Sequence, residues 1–227
     1  MKIALCLSGQ PRGLAKAHEY VKTNLLDKND VDVFCHTWDD GSIIESLYTP
    51  LSIEVAKSSE HKLTKDYNVK SSRHPAINTV SFYYSLYRAN RLCIQSGNSY
   101  DVVIRSRYDY AIATQIDFSS MDLNMLWTPL VHQRSFLGPN FLCTDQFAFS
   151  CPRIMNIYCD VYNNLDHYHD TGTVMNGEDM LARHIREVGV SDRVSYIDMK
   201  DPFFDEGKYG YGPHSLVRDD MENWIVR

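Results

Sequence analysis

The stretch YDVVIRSRYDY, residues 100–110, constrains the fold of this chain more than any other. It opens on a short apolar run of two valines and an isoleucine, which is typical of a strand buried on both faces of a parallel sheet. Arg105, Arg107 and Asp109 follow at every second position, so the period of a strand predicts that they leave one face together. In open α/β sheets the ligand lies at the carboxyl ends of the strands. We therefore predict a central strand that ends in a polar site, with a local arginine–aspartate ion pair as the alternative.

The length of 227 residues fits one large domain, or one domain with a subdomain. A hydrophobic fraction of 44% supplies a full core, and a net charge of −6 argues against a protein that coats nucleic acid. The six cysteines contain no CxxC spacing, which argues against a zinc ribbon and favours buried thiols in a reducing compartment. We find neither a signal peptide nor a run of membrane-spanning length, so we expect a soluble cytosolic protein.

The first predicted strand, Lys2–Leu7, is followed by a small polar turn and by helical periodicity from Leu14. Strand, turn and helix in this order begin a nucleotide-binding α/β unit, in which the turn amides and the helix N-terminus favour phosphate. The turn is neither GxGxxG nor a P-loop, and an ordinary βα turn with Pro11 starting the helix is the alternative. The candidate ligand-binding residues of this turn are Ser8, Gly9, Gln10 and Arg12.

A second predicted strand, Val31–His36, also ends in a polar and aromatic cluster, which includes His36 and Trp38. Because parallel strands end at the same edge of a sheet, two such clusters favour one shared cleft. A single histidine at a strand end is nevertheless more often structural than catalytic. The clearest predicted helix, Pro75–Ser96, follows a polar loop at 57–74 and leads into the central strand.

Acidic residues mark the second half of the chain. Asp145 opens a short alternating segment that predicts a strand, and the sequence Asn176-Gly-Glu-Asp179 predicts a helix start. Glu178 and Asp179 suit the positive end of that helix, and over a cleft the same pair offers a general base. The aromatic and acidic segment 201–214, which includes His214, has the character of a lid.

An ordered set of short motifs covers most of the chain and resembles a group of small glycosyltransferase-like proteins. This group is similar to the WavE-type proteins of lipopolysaccharide and capsule loci, with relatives in large viruses and tailed phages. The motifs that carry the resemblance are Ser8–Arg12, His36–Trp38, Tyr84–Asn90, Arg105–Asp109, Asp145–Phe147 and Glu178-Asp179.

The resemblance implies a GT-A-like, Rossmann-type fold with a mixed, mainly parallel sheet flanked by helices. It implies a nucleotide-sugar donor such as a UDP-sugar. The chain would form one domain, 1–227, with a nucleotide-binding half at 1–110 and an acceptor half with a C-terminal lid at 111–227. Such a protein is expected in the cytoplasm of a bacterium or of a virus-infected host cell.

GT-A-type enzymes end their central strand in a DxD motif that holds a divalent cation on the donor diphosphate. The matching place in this chain reads Arg107-Tyr-Asp109, so the final aspartate fits and the first does not. One alternative is that Asp109 takes a single coordination site of Mg²⁺ or Mn²⁺, with His214 as a late metal contact. The other is that Arg105 and Arg107 neutralise the diphosphate, because guanidinium groups match phosphate oxygens bidentately.

The resemblance also implies catalytic roles for the acidic residues. One member of the pair Glu178 and Asp179 would deprotonate the acceptor hydroxyl in an inverting transfer, whereas in a retaining transfer the pair only orients the acceptor. Asp145 would stabilise an oxocarbenium-like sugar. His36 and Trp38 would join the turn residues and the arginines in binding the donor.

The sequence leaves two possibilities for the acceptor, a surface glycan or a modified base in phage DNA. A basic segment predicts either a groove for a DNA backbone or an ordinary solvated loop. A second class of function is a non-catalytic nucleotide- or glycan-binding module on a degenerate transferase fold, because the first aspartate of DxD is missing. A methyltransferase is disfavoured because the first turn lacks the usual glycine spacing. The residues of the basic segment are Lys57, Lys62, Lys65, Lys70 and Arg73.

Overall fold

The computed structural model describes residues 1–69, 75–130 and 142–199. Helices and strands alternate through the first half of the chain, as the sequence predicts for an α/β fold. The elements in chain order are β1 (Lys2–Ser8), α1 (Leu14–Asn24), β2 (Asp30–Trp38), α2 (Ser42–Tyr48), β3 (Ser52–Ala56), α3 (Ala76–Gln95), β4 (Val102–Arg107), β5 (Leu126–Pro129), β6 (Phe147–Ser150), α4 (Pro152–Tyr158), α5 (Leu165–Asp170), α6 (Gly177–Glu187) and β7 (Val194–Ile197).

The strands form one seven-stranded sheet in the order β3-β2-β1-β4-β6-β5-β7. The first four are parallel, β6 runs antiparallel to both β4 and β5, and β7 is parallel to β5. The fold class predicted from the sequence, a mixed and mainly parallel sheet flanked by helices, is confirmed. Strands from both halves of the chain pair in this one sheet, so its core is continuous between them.

Strand β1, which pairs with β2 and β4, is buried on both faces of the sheet. Ile3, Leu5 and Leu7 pack with residues of α1 and α2 on one face. Ala4 and Cys6 pack with residues of α3, α4 and α6 on the other face, which we call the α3 face. An apolar run without polar alternation folds in this way because helices cover both sides of a parallel strand.

Helix α3 is the main cover of the α3 face. Its apolar residues recur at three- and four-residue spacing, and Gly97, with a φ of 71°, follows its C-terminus. Because α3 connects two parallel strands, it runs back across the sheet and begins near the carboxyl ends of the strands. Its buried apolar side chains are those of Ala76, Val80, Tyr83, Leu86, Ala89 and Cys93.

Strand β4 is shorter than the sequence indicates. The alternation predicted that Arg105, Arg107 and Asp109 leave one face of a continuing strand, but β4 ends at Arg107 and the chain turns at residues 108–109. Asp109 therefore lies beyond the strand, where it forms the local ion pair with Arg107 that the sequence offered as an alternative. Within the described ranges, no helix combines the length and the apolar character needed to cross a membrane.

Leu5→Ala should lower the free energy of unfolding by roughly 2–5 kcal/mol, because it leaves a cavity in the closest-packed part of the sheet. Leu5 is fully buried, whereas Leu51 is 55% exposed and serves as the matched control. Leu51→Ala should change the free energy of unfolding by less than about 0.5 kcal/mol. Chemical denaturation of both variants measures the difference. Equal losses would contradict the position of β1 at the centre of the core.

Candidate functional site

The predicted site residues converge on one edge of the sheet, where the parallel strands end. Ser8 at the end of β1 pairs in register with His36 of β2 and with Arg107 of β4. Strand β6 is antiparallel, so it begins at this same edge, and the Arg107 amide donates to the Gln146 carbonyl at 3.2 Å. Asp145 therefore lies beside the ends of the parallel strands, as expected for a ligand site in an open α/β sheet.

Arg107 and Asp109 form a bidentate ion pair at the end of β4. Arg107 Nε donates to one carboxylate oxygen of Asp109 and Nη2 donates to the other, each at 2.7 Å. The Asp109 side chain is only 4% exposed and that of Arg107 is 22% exposed. Burial by itself lowers the pKa of Arg107, but Asp109, Asp145 and Glu178 outweigh burial and raise it. Arg107 is therefore a fixed positive charge surrounded by carboxylates.

Arg105 lies deeper than the sequence predicts. Its side chain is 1% exposed, so the expectation of an open cleft at this residue was wrong. Phe82 of α3 covers it, with the guanidinium carbon 4.9 Å from the ring centroid. Its three guanidinium nitrogens are buried, and none of them forms a hydrogen bond within the described part of the chain. Burial lowers the pKa of Arg105, whereas Tyr158 and Asp145 act in the opposite direction.

Asp145 faces the start of α6. A Cβ atom on Gly177 would lie 2.8 Å from Asp145 Oδ2, so a larger residue there would require the Asp145 carboxylate to shift. The Tyr83 hydroxyl of α3 donates to the Gly177 carbonyl at 2.5 Å. Burial raises the pKa of Tyr83 well above its usual value, and the nearby charges of Asp145 and Glu178 raise it further. The start of α6, Asp145 and the end of β4 thus form one cluster.

The acidic pair Glu178 and Asp179 occupies the first turn of α6, as predicted. The Asn176 side chain caps the helix by accepting from the amides of Glu178 and Asp179 at 3.1 and 3.4 Å. Both acidic side chains are partly exposed. The pair therefore lies at the positive end of the helix dipole. Glu178 also lies close enough to raise the pKa of Arg107 and of Tyr83.

The turn after β1 is held from inside the protein. Gly9 has a φ of 114°, its amide donates to Ser85 Oγ at 2.8 Å, and its carbonyl accepts from Thr37 Oγ1 at 3.3 Å. The Gly9 amide therefore points toward α3, not toward a ligand. Ser8 is buried, whereas the Gln10 and Arg12 side chains are exposed. Among the predicted donor-binding residues of this turn, Gln10 and Arg12 face solvent.

His36, which the sequence predicts to bind the donor, is completely buried under α3. Its Nδ1 lies 2.8 Å from Ser85 Oγ, and its ring packs edge-on against Trp38 and Tyr84. Trp38 is 8% exposed and contacts His61 as well. The more open rings of this aromatic cluster, which lies at the end of β2, belong to His61 and Tyr84.

The residues present do not fit a divalent cation at Asp109. Both of its carboxylate oxygens already accept short hydrogen bonds from Arg107, and releasing Asp109 would leave a buried guanidinium without its partner. A cation there would also meet the positive charges of Arg105 and Arg107. The described ranges hold no group of three or more His, Cys, Asp or Glu side chains arranged around a metal. The other predicted metal contact, His214, and the predicted lid lie outside the described residues.

The basic segment predicted as a DNA groove is partly neutralised. Lys65 Nζ lies 2.6 Å from Asp170 and 3.6 Å from Asp166, and Lys57 Nζ lies 3.9 Å from Glu60. These ion pairs reduce the positive potential that would track a phosphate backbone. Lys62 is exposed, and Lys70 and Arg73 lie outside the described residues.

Two contributions to the site were missed in the sequence. Tyr83 of α3 was not singled out in the sequence, and Ser85 and Arg88 fall within the Tyr84–Asn90 motif but received no role there. Glu54 of β3 and Arg88 of α3 form an ion pair at 2.6 Å that borders His36. The strand register could have identified Glu54. It occupies the position on β3 that matches His36 on β2, Ser8 on β1 and Arg107 on β4.

The chain was compared with protein-family models and with curated proteins, and neither comparison found a match. The WavE-type resemblance therefore rests on the short motifs alone.

His36 predicts a loss of stability in acid. Burial lowers its pKa from 6.5 to about 4, with the charges of Arg88 and His61 acting in the same direction and that of Glu54 opposing them. Between these pH values the unfolded chain binds a proton that the folded chain does not. The free energy of unfolding should therefore fall by about 3 kcal/mol on this account as the pH drops from 6.5 to 4.

Denaturation of wild type and His36→Gln across this pH range isolates the contribution of His36. Other buried histidines, such as His184, titrate in both proteins and cancel in the difference. The variant should show a shallower loss of stability than wild type between pH 6.5 and 4. Parallel curves for the two proteins would show that His36 is not buried in its neutral form.

Proposed function

We propose that the protein is a glycosyltransferase that moves a sugar from a nucleotide-sugar donor to a hydroxyl acceptor. The observation that carries the proposal is the cluster at the carboxyl edge, where Arg107 stands among Asp109, Asp145 and Glu178. Glycosyl transfer has to stabilise a departing diphosphate and a sugar with oxocarbenium character. A cationic group beside several carboxylates offers both kinds of charge within one site.

Arg107 is the group best placed to receive the diphosphate. A guanidinium has five N–H donors. Asp109 takes two of them, which leaves the others for phosphate oxygens. Asp109 also fixes the plane of the guanidinium, so little side-chain entropy is lost when a ligand binds. The exposed Arg12 side chain provides a second cation on the neighbouring turn.

Asp145 and Glu178 supply the negative charge that the sugar and the acceptor need. Asp145 would lie against the sugar and stabilise positive charge as the bond to the diphosphate breaks. Glu178 or Asp179 would accept the proton of the acceptor hydroxyl in an inverting transfer, or would orient that hydroxyl in a retaining one. A positioned base contributes about 10²–10⁴-fold to the rate.

The aromatic cluster at the end of β2 suits the nucleoside part of a donor. His61 and Tyr84 have ring centroids 5.0 Å apart and are both partly exposed. Nucleobases and sugars both stack on aromatic rings, and such contacts tolerate different bases. A donor that reaches from these rings across the β1 turn to Arg107 would follow the carboxyl edge of the sheet.

A glycan is the favoured acceptor. The ion pairs of Lys57 and Lys65 weaken the segment that a DNA backbone would need. A modified base in phage DNA is the second possibility, and retention on DNA that falls with salt would indicate it. All six cysteines are free thiols, which supports a cytoplasmic protein of a bacterium or of a virus-infected cell.

A non-catalytic nucleotide- or glycan-binding module is the second candidate. The observation that favours it is Arg107-Tyr-Asp109 in place of DxD, with the only aspartate locked to its arginine. Such a module would bind the donor without breaking its sugar–phosphate bond. Release of the nucleoside diphosphate separates the two candidates.

A thermal-shift panel of nucleoside diphosphates and nucleotide sugars tests the donor site, each ligand with manganese and with chelator. A donor at a hundredfold excess over its dissociation constant adds about 2.7 kcal/mol of stability, which raises the melting temperature by several degrees. The shift should appear with one class of nucleotide and should persist with chelator. No shift with any nucleotide would overturn the donor-site proposal.

The double variant Arg107→Gln with Asp109→Asn removes both members of the buried ion pair, so neither charge is left alone. It should fold and lose the nucleotide-induced shift. Arg193→Gln is the matched control, because Arg193 is exposed and lies just before β7, away from the site. A double variant that keeps the full shift would show that the diphosphate does not bind at Arg107.

A further inference from the structure

We propose that Ser85 is a positioning residue for the ligand-binding turn after β1, and that His36 and Glu54 act through it. The inference rests on the proposed function, because the turn matters only if a donor lies against it. None of these three side chains would touch the donor. They would hold the backbone at Gly9 in the conformation that the turn adopts when the donor binds.

The three side chains form a chain of contacts across the α3 face. The Glu54 carboxylate lies 3.7 Å from His36 Nε2, and His36 Nδ1 lies 2.8 Å from Ser85 Oγ. Ser85 Oγ in turn accepts from the Gly9 amide at 2.8 Å. His36 and Ser85 are both completely buried, so water does not compete for the hydrogen bond between them.

Arg88 anchors the far end of this chain of contacts. Its Nε and Nη2 donate to the two Glu54 oxygens at 2.9 and 2.6 Å. Arg88 lies three residues after Ser85 on α3, so both side chains project from one stripe of the helix. The position of α3 on the sheet thereby sets Glu54, His36 and Gly9 together.

The charge of Glu54 determines the tautomer of His36. If Nδ1 carried the proton, the lone pair of Nε2 would face the negatively charged Glu54 carboxylate, and the two would repel each other. With the proton on Nε2, that N–H faces the carboxylate, and Nδ1 accepts from the Ser85 hydroxyl. Ser85 then donates to His36 Nδ1 at 2.8 Å, in preference to the His36 carbonyl at 3.3 Å, while it accepts from the Gly9 amide. The Glu54 carboxylate acts on Nε2 through its charge, because 3.7 Å is too long for a hydrogen bond.

Gly9 is the residue on which these contacts act. Its φ of 114° lies in a region that favours glycine, and Ser85 and Thr37 hold its amide and its carbonyl. The bond to Ser85 fixes the direction in which the chain leaves β1 toward Gln10 and Arg12. Without that bond the turn would sample other conformations, and a donor would have to order it on binding.

Ser85→Ala tests the proposal, with Ser81→Ala as the matched control one turn earlier on α3. The Ser85 variant should bind a nucleoside diphosphate at least fivefold more weakly than wild type, measured by calorimetry, whereas the Ser81 variant should bind normally. Amide hydrogen exchange at Gly9 should become faster in the Ser85 variant alone. Loss of stability without a change at Gly9 or in affinity would mean that Ser85 is merely structural, and would overturn the proposal.

Nitrogen NMR of His36 in wild type gives a second test that does not depend on a variant folding. The proposal requires a proton on Nε2 and an unprotonated Nδ1 at neutral pH. A proton on Nδ1 would overturn it even if nucleotide binds. If wild type binds no nucleotide at all, the proposed function fails and the positioning role fails with it. Binding by wild type with equal affinity in Ser85→Ala removes the positioning role alone.

Discussion

The bidentate bond between Arg107 and Asp109 is the constraint on which the rest of the site depends. It ends the central parallel strand, and it takes up both oxygens of the aspartate that a metal-dependent transferase would use. A buried ion pair of this kind stabilises the fold little, but breaking it leaves a charge without compensation. Arg107 is therefore kept in one orientation, with its remaining donors available at the edge of the sheet. Asp145 and Glu178 lie close enough to act on the same positive charge, so carboxylates and a cation stand side by side at this edge of the sheet.

Helix α3 connects this cluster to the rest of the carboxyl edge. Along its length it covers Arg105 with Phe82, holds the start of α6 through Tyr83, holds the β1 turn through Ser85 and holds β3 through Arg88. These polar contacts replace apolar packing at the end of an otherwise apolar face. Each is buried or half-buried, so each carries a desolvation cost that only a specific geometry offsets. The site is consequently rigid where the helix crosses it, and the exposed side chains, Gln10 and Arg12, lie on the turn that the helix supports.

Much of the fold was predictable because strands and helices follow local patterns. The apolar run of β1 and the helical spacing of α3 both indicate their elements, and the polar residues after β1, β2 and β4 indicate the ligand edge. The depth of Arg105 was not predictable, because Phe82 covers it from a helix more than 20 residues earlier in the chain. The burial of His36 depends in the same way on Ser85 and Tyr84. The end of β4 at Arg107 was not predictable from the alternation, which continues through Asp109, whereas the chain turns there and Asp109 bonds to Arg107.

Release of nucleoside diphosphate from a nucleotide sugar tests the central claim most directly. Wild type is incubated without acceptor with each nucleotide sugar, once with chelator and once with manganese, and free diphosphate is analysed by chromatography. Our account predicts slow release from one class of donor, with water taking the place of the acceptor. It also predicts a large reduction in Asp145→Asn, whose side chain keeps its shape but loses its charge. Binding of a nucleotide sugar without any release would contradict the transferase and leave the binding module. Release that requires a metal ion would contradict the role given to Arg107.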